Sequence, residues 1–406
     1  MRRALRRGCA AAAGLCVSVW AAGCSAPAPP ARATAPQVTC SAAVTAGRPL
    51  AGIRPVTLRI PGKPADVVAT PDGRWEFASM TAASGGEVAV LSVGHGPPRL
   101  VRTVAMPDLM KAAFGMALTH DGRLLLVAGY TGTAVLSVPA LEDGTGHAVL
   151  GVLSDAGTGE FAVTVSGDDR YAYVADETSG GLSVFNLALA TRDGFGASGV
   201  ATGIVPLVPA RGEQVGAVDV ALSPDGSSAY VTTLGGYGPH GRLWVIDTAR
   251  ADSGAGGRAV LAHAAAGCGP VRVAVSPDGG TAWVTAQTSN ALLAFSTADL
   301  RRQPAHALRA VVRVGSEPTG LLLADGGKVA LVTNSNRGLV PGTASDAPQT
   351  VSVVRTAAAL AHRPALAGAV PAGLFPRDLA LDPATGDVLL ANYGSGTVEE
   401  FPVPKT

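Results

Sequence analysis

A chain of 406 residues can bury a large core, and soluble single domains of this length are commonly repeats or barrels. Its 31 basic residues are balanced by 30 acidic ones, which leaves no net field to draw nucleic acid or an anionic surface. With 52 Gly, 29 Pro, only 4% aromatic residues and no Gly-X-Y period, the composition excludes collagen and fits many tight turns between short strands.

In chain order, Arg2, Arg3, Arg6 and Arg7 precede an apolar run from Gly8 to Trp20 that is too short to span a bilayer as mature structure. This is the pattern of an export signal over residues 1–23, which lies outside the fold. The paired arginines lack the fuller twin-arginine motif. The signal closes on Ala21-Ala22-Gly23-Cys24, which resembles the lipobox of bacterial lipoproteins, with Ala21 where Leu is usual. That resemblance implies diacylation at Cys24 and a firm anchor on the extracytoplasmic face of the cell membrane, since two acyl chains hold where one is marginal. The other reading is an ordinary secretory signal with an incidental Cys. Residues 24–52 then comprise the lipidated cysteine and a tether, Ala- and Pro-rich from Ser25 to Pro36 and hence extended.

Cys9 and Cys16 leave with the signal and Cys24 is the lipid site, so Cys40 and Cys268 remain. In an oxidising compartment two leftover thiols are expected to form one disulfide that pins the N-terminal tail to the domain. The alternative is two unpaired thiols. No His or further Cys stands at ligand spacing to support a metal site there.

From residue 53 to 406 one unit recurs. Its clearest copy runs from Val271 through Val275, turns at Pro277-Asp278-Gly279, and returns through Thr281-Ala282-Trp283-Val284-Thr285 to a third strand, Ala291 to Ser296. Proline fixes φ and glycine accepts positive φ at such a turn. The same signature appears at Val67 to Gly73, Met116 to Gly122, Val163 to Asp169 and Val220 to Gly226, and more loosely at Leu321 to Gly327 and Leu379 to Gly386. The spacing is 47 to 58 residues. Such a period, with about four strands per unit, predicts a seven-bladed β-propeller, an all-β fold. The last unit has three recognisable strands, whereas Val56 to Ile60 is a strand without a unit. It is expected to close the ring as the outer strand of the last blade. Longer loops are expected at 194–213, 235–241, 250–257 and 337–349.

The second and third strands, as in Tyr171-Ala172-Tyr173-Val174-Ala175, Ala229-Tyr230-Val231-Thr232-Thr233 and Leu243-Trp244-Val245-Ile246-Asp247, complete a repeat that resembles the YVTN-type seven-bladed propellers. That family includes surface-layer and periplasmic repeat proteins and lies close to lactonase-like propellers. The resemblance covers nearly all of the chain from about residue 53 to 404, and it speaks to fold far more than to activity.

Aligning the units on their turns brings Asp66, Gly115, Ala162, Asp219, Arg272, Gly320 and Asp378 to one mouth of the central channel, with Arg377 beside Asp378. One reading is a polar pocket for an oxygen-rich ligand or a divalent cation. The other is a structural ion pair between the neighbours Asp219 and Arg272, with a second ion-paired cluster filling the funnel. Asp66 and Asp378, if close without a cation, would leave one carboxyl with a raised pKa. Catalytic signals are thin: the seven His share no repeat position, no Gly-x-Ser-x-Gly elbow occurs, the Gly-rich runs lack a phosphate loop's Lys, and there is no Cys-x-x-Cys-His. Trp75, Trp244 and Trp283 read as packing residues and Tyr393-Gly394-Ser395-Gly396 as a turn. The leading expectation is therefore a lipid-anchored, monomeric scaffold that binds a protein or small-molecule ligand, with no resident cofactor. A lactonase-like hydrolase using the channel-mouth carboxylates, with a cation or an activated water, is the alternative.

Overall fold

The computed structural model describes residues 38–406 except 95–97, 108–109, 156, 209–215, 237 and 339–348. The export signal, Cys24, the tether through residue 37, His95 and parts of the loops at 194–213 and 337–349 thus lie outside the described residues.

Among the described residues the strands form seven four-stranded antiparallel sheets. Their innermost strands are Lys63–Ala69, Ala113–Leu118, Glu160–Val165, Ala217–Leu222, Pro270–Val275, Pro318–Ala324 and Pro376–Leu381. Each packs against the next and the seventh against the first, so the ring is closed. The closing strand, Val56–Arg59, pairs with Thr397–Pro402 as the outer strand of blade 7, in register from Val56 with Glu400 to Arg59 with Thr397. The blade is thereby built from both ends of the domain, and unfolding either end opens the ring.

The core is divided among the blade boundaries. Strand alternation assigns it: in Tyr171-Ala172-Tyr173-Val174-Ala175, Ala172 and Val174 join the cluster shared with blade 2, whereas Tyr173 and Ala175 join the one shared with blade 4. Both faces of a blade are buried, and that is why the strands read as nearly continuous apolar runs. Trp244 and Trp283 lie in these layers. Each Pro-Asp-Gly turn is pinned by its own side chains. In blade 5 Ser276 Oγ donates to Asp278 Oδ1 at 2.5 Å and accepts from Thr281 N at 2.9 Å, and Gly279 has φ 71°. Blade 3 puts Asp169 at that position, with φ 57°, where glycine stands elsewhere. Replacing Ser276 by Ala removes both bonds and is expected to lower stability by about 1 kcal/mol, read as a smaller urea midpoint at unchanged slope.

Three features differ from the sequence expectation. Short helices join the third and fourth strands of blades 2 to 6, as at Leu187–Asp193 and Thr297–Arg302, capped by Asn186 and Ser296. The stretch 194–213, read as a loop, contains the outer strand of blade 3, Ala201–Pro206. Residues 40–50, assigned to the tether, are docked. Cys40 is bonded to Cys268, Ser41 N donates to Thr288 O and Thr45 N to Val314 O, and Pro49 bridges Ala369 on the outer edge of blade 6. The segment is a strap across blades 5 and 6 that leads into the closing strand.

Candidate channel-mouth site

The backbone prepares the mouth before any side chain is considered. All seven innermost strands carry a register shift at the same place, between Pro64 and Asp66, Ala113 and Met116, Glu160 and Ala162, Ala217 and Asp219, Pro270 and Val273, Pro318 and Leu321, and Pro376 and Asp378. A bulge bends a strand and re-aims its side chains, so a ring of bulges turns two successive layers of residues toward the channel. The lower layer holds Asp66, Asp219, Arg272 and Asp378; the upper holds Phe114, Phe161 and Arg377. Gly115, Ala162 and Gly320 fill the remaining lower positions, the two glycines for a steric reason. A Cβ on Gly115 would lie 2.9 Å from Ala162 Cα, and one on Gly320 2.6 Å from Arg377 O.

In the lower layer the partners are not the blade neighbours expected. Arg272 reaches across the channel past Gly320 to Asp378, with Nε at 2.8 Å and Nη2 at 2.6 Å from Oδ2. No hydrogen bond joins it to Asp219, whose Oδ2 accepts from Val273 N at 2.8 Å. The physical reason is length: a guanidinium on a four-bond stem spans the narrow channel, while an Asp is short enough to cap the next blade's amide. Asp66 does the same, accepting from Met116 N at 2.7 Å with one oxygen and from Val67 N at 2.7 Å with the other. Burial, reinforced by Asp378, pushes Asp66 up to about 8 against the opposing pull of Arg272. Burial pushes Asp219 up to about 6. For Arg272 burial acts downward, but Asp378 and Asp219 outweigh it and hold the guanidinium above its ordinary value.

In the upper layer Arg377, expected beside Asp378, is joined by rings that alignment on charged positions does not show. Arg377 extends over three half-buried rings, 5.2 Å from the centroid of Phe161, 5.6 Å from Phe114 and 5.3 Å from Tyr393. Phe114 and Phe161 are themselves stacked at 5.1 Å. Tyr393 is the first residue of the turn read in the sequence and also a wall of the mouth. Lys63 lies 5.5 Å over the same Tyr393 ring, and Arg337 lies 4.7 Å over Phe375, which packs against Tyr393 at 5.1 Å. Phe375 is held at φ 50°, a strained conformation for a bulky residue. Among the described residues no carboxylate hydrogen-bonds Lys63, Arg337 or Arg377. Glu177 faces Arg377 and Arg337 at longer range and is held above the usual carboxylate range by burial. Burial, then Arg272 and Arg337, push the Arg377 guanidinium well below its usual range. Phe161 is backed by a buried apolar cluster of Val218, Leu234 and Val271.

Among the described residues no group of three or more His, Cys, Asp or Glu is placed to hold a metal ion, and the mouth carboxylates are engaged by backbone amides and by Arg272. On the opposite face a cleft between blades 4 and 5 is lined by Ser223, Asp225, Asp278 and Arg301. Its Ser and Asp side chains are bonded within their own turns. The convergence of unmatched charge is at the mouth.

Fold and mouth together define a seven-bladed β-propeller with a cationic, ring-lined channel opening. No protein-family model and no curated protein matches the chain. Among solved structures it is similar to Kuenenia stuttgartiensis hydrazine synthase, at 17% identity and a TM-score of 0.64 over 86% of this chain and 98% of that one. It is also similar to the β-propeller domain of Myceliophteria thermophila Cps50 (Swd1), at 12% identity and a TM-score of 0.62 over 87% and 100%. At these identities the likeness establishes the fold.

The buried acids set a pH dependence. Burial raises Asp66, Glu76 and Glu160 to about 8, Asp176 to about 7 and Asp219 to about 6. A carboxyl raised on folding keeps a proton that the unfolded chain has lost. Its contribution to stability is complete below about pH 4 and is lost as pH climbs through 6 to 8. Scanning calorimetry at fixed ionic strength is expected to give a Tm several degrees higher at about pH 5 than at about pH 8. The turn carboxyls Asp72 and Asp225, held at about 2 first by side-chain hydrogen bonds from Thr70 and Ser223, weigh the other way only below about pH 4.

Proposed function

We propose that this chain is a membrane-tethered, extracytoplasmic propeller of the YVTN type that serves as a binding scaffold, meeting its ligand or partner at the channel mouth. The anchor half of this reading rests on the sequence: the basic and apolar leader, the Ala21-Ala22-Gly23-Cys24 run and the Ala/Pro-rich stretch behind it. The binding half rests on one observation above all, the convergence of Lys63, Arg337 and Arg377 on half-buried rings without a hydrogen-bonded carboxylate among the described residues. Binding sites favour such convergent, imperfectly neutralised groups in a concave opening. The hydrolase reading draws no comparable support, because Asp66 and Asp378 already hold backbone amides and Arg272.

Hydrogen exchange tests this on the full chain, compared in its own membranes and after purification in detergent. The scaffold reading expects the mouth-face turns at Glu177–Ser179 and Tyr393–Ser395 to be slower in membranes, with the far-face turns at Pro224–Gly226 and Pro277–Gly279 unchanged. Equal exchange on both faces in the two preparations would count against it. The anchor is tested separately, by incorporation of a clickable palmitate analogue that Cys24→Ala abolishes.

A further inference from the structure

Arg377 is the feature that the ion pair and the propeller framework leave unexplained. A guanidinium brought out of water costs free energy unless it is paired. Arg272, one layer below, has Asp378; Arg377 has three ring faces. Ring faces attract a cation but supply no charge to neutralise it. Two further cations, Lys63 and Arg337, stand beside the same Tyr393–Phe375 pair, so like charges are brought together from blades 1, 6 and 7. The rings lie against the guanidinium without accepting its N–H groups in hydrogen bonds, no carboxylate among the described residues does so, and a carboxylate matches that fork with two parallel hydrogen bonds. Next to the guanidinium, the half-buried Phe161 ring is backed by the buried cluster of Val218, Leu234 and Val271. That ring surface suits the body of an organic molecule and offers nothing to an inorganic ion.

Resting on the scaffold reading above, we infer that the channel mouth is a site for a small organic carboxylate with an apolar body, its carboxylate on Arg377 and its body against Phe161, which the buried Val218, Leu234 and Val271 back. Lys63 and Arg337 draw the anion in and Glu177 sets a limit on how much negative charge the mouth accepts.

The test is calorimetric titration of the detergent-solubilised full chain with 3-phenylpropionate, its neutral amide, acetate and inorganic phosphate. The expected order is 3-phenylpropionate tightest, with the amide and acetate at least tenfold weaker, and Arg377→Gln at least tenfold weaker for the carboxylate. Arg301→Gln, on the far face, is the control and should bind as wild type. Since the Arg377 guanidinium has no hydrogen-bonded partner among the described residues, Arg377→Gln should fold with a Tm no lower than wild type; a guanidinium with a structural role would lower it. Phe161→Leu, which keeps the charge, should weaken 3-phenylpropionate by a larger factor than acetate. Equal binding of amide and carboxylate, phosphate binding as tightly as 3-phenylpropionate, Arg377→Gln binding as wild type, or no binding of any probe would each overturn the assignment. Mouth-face protection in membranes without carboxylate binding would remove the ligand class and leave the scaffold standing. Loss of both would remove both.

Discussion

Replacing Asp378 by Ala is expected to destabilise the protein by about 3–5 kcal/mol, seen as a lower urea midpoint with the slope unchanged. The side chains of Arg272 and Asp378 are only 8% and 11% exposed. Removing the acid therefore leaves a guanidinium buried with its Nε and one Nη donor unmatched. Asp219 and Asp66 cannot take over without giving up the amides of Val273 and Met116. The pair joins blade 5 to blade 7 across the channel, so its loss is felt by the ring rather than by one sheet. A double variant, Arg272→Met with Asp378→Leu, removes both charges and should recover most of the loss, because a buried ion pair exchanged for apolar groups is close to neutral. A further consequence is electrostatic. Without Asp378 beside it, Asp66 in the single variant should titrate lower than in wild type. A cost below about 1 kcal/mol for Asp378→Ala would mean that the channel ion pair does not hold the ring.

Breaking the Cys40–Cys268 bond comes next in size, at about 2–4 kcal/mol. The two cysteines are 228 residues apart, so the cross-link restrains a long loop of the unfolded chain. In the folded chain it pins the head of the strap: Cys268 is buried and Cys40 exposed, so a reductant has access from one side. Cys40→Ser with Cys268→Ser should lower the urea midpoint and speed hydrogen exchange first at Ser41, Thr45 and Leu50, whose amides bond to Thr288, Val314 and Ala369. Exchange at the closing strand should follow more weakly, since Val56–Arg59 has its own ladder with blade 7. Unchanged exchange along the strap would show that it is held by blade contacts alone.

The ring was legible because its turns are. Blades 1, 2, 4 and 5 repeat a Ser/Thr-x-Asp-Gly turn, blade 3 keeps its Ser and Asp, and blades 6 and 7 carry looser copies, so spacing counts the blades, and the orphan strand at Val56 and a three-stranded last unit fix the closure. The helices between third and fourth strands were not read because they are five to seven residues long, as at Thr248–Asp252 and Leu187–Asp193, below the length at which periodicity carries a signal. Their caps Asn186, Asp247 and Ser296 were the available cue. The strap escaped because residues 40–50 are mostly small, show no strand period and owe their place to partners more than 200 residues away, such as Thr288. At the mouth, alignment brought Asp66, Asp219, Arg272, Arg377 and Asp378 to one end of the channel. It could not give their pairing, since adjacency between blades says nothing about a side chain that crosses the channel. The aromatic layer sits one residue earlier than the aligned column, at Phe114 and Phe161, and a search for charged positions passes over it. The common register shift brings it into the mouth.

The account turns on whether the mouth is where this propeller meets something. Its most direct test is a photo-crosslinking residue at Tyr130, which is 52% exposed on the rim with its ring 6.1 Å from Phe114, compared with one at Arg302 on the far face, in the full chain within intact membranes. The account predicts an adduct from position 130 that disappears in the Arg377→Gln background, and none from position 302. Adducts from both faces alike, or an adduct at 130 indifferent to Arg377, would contradict it.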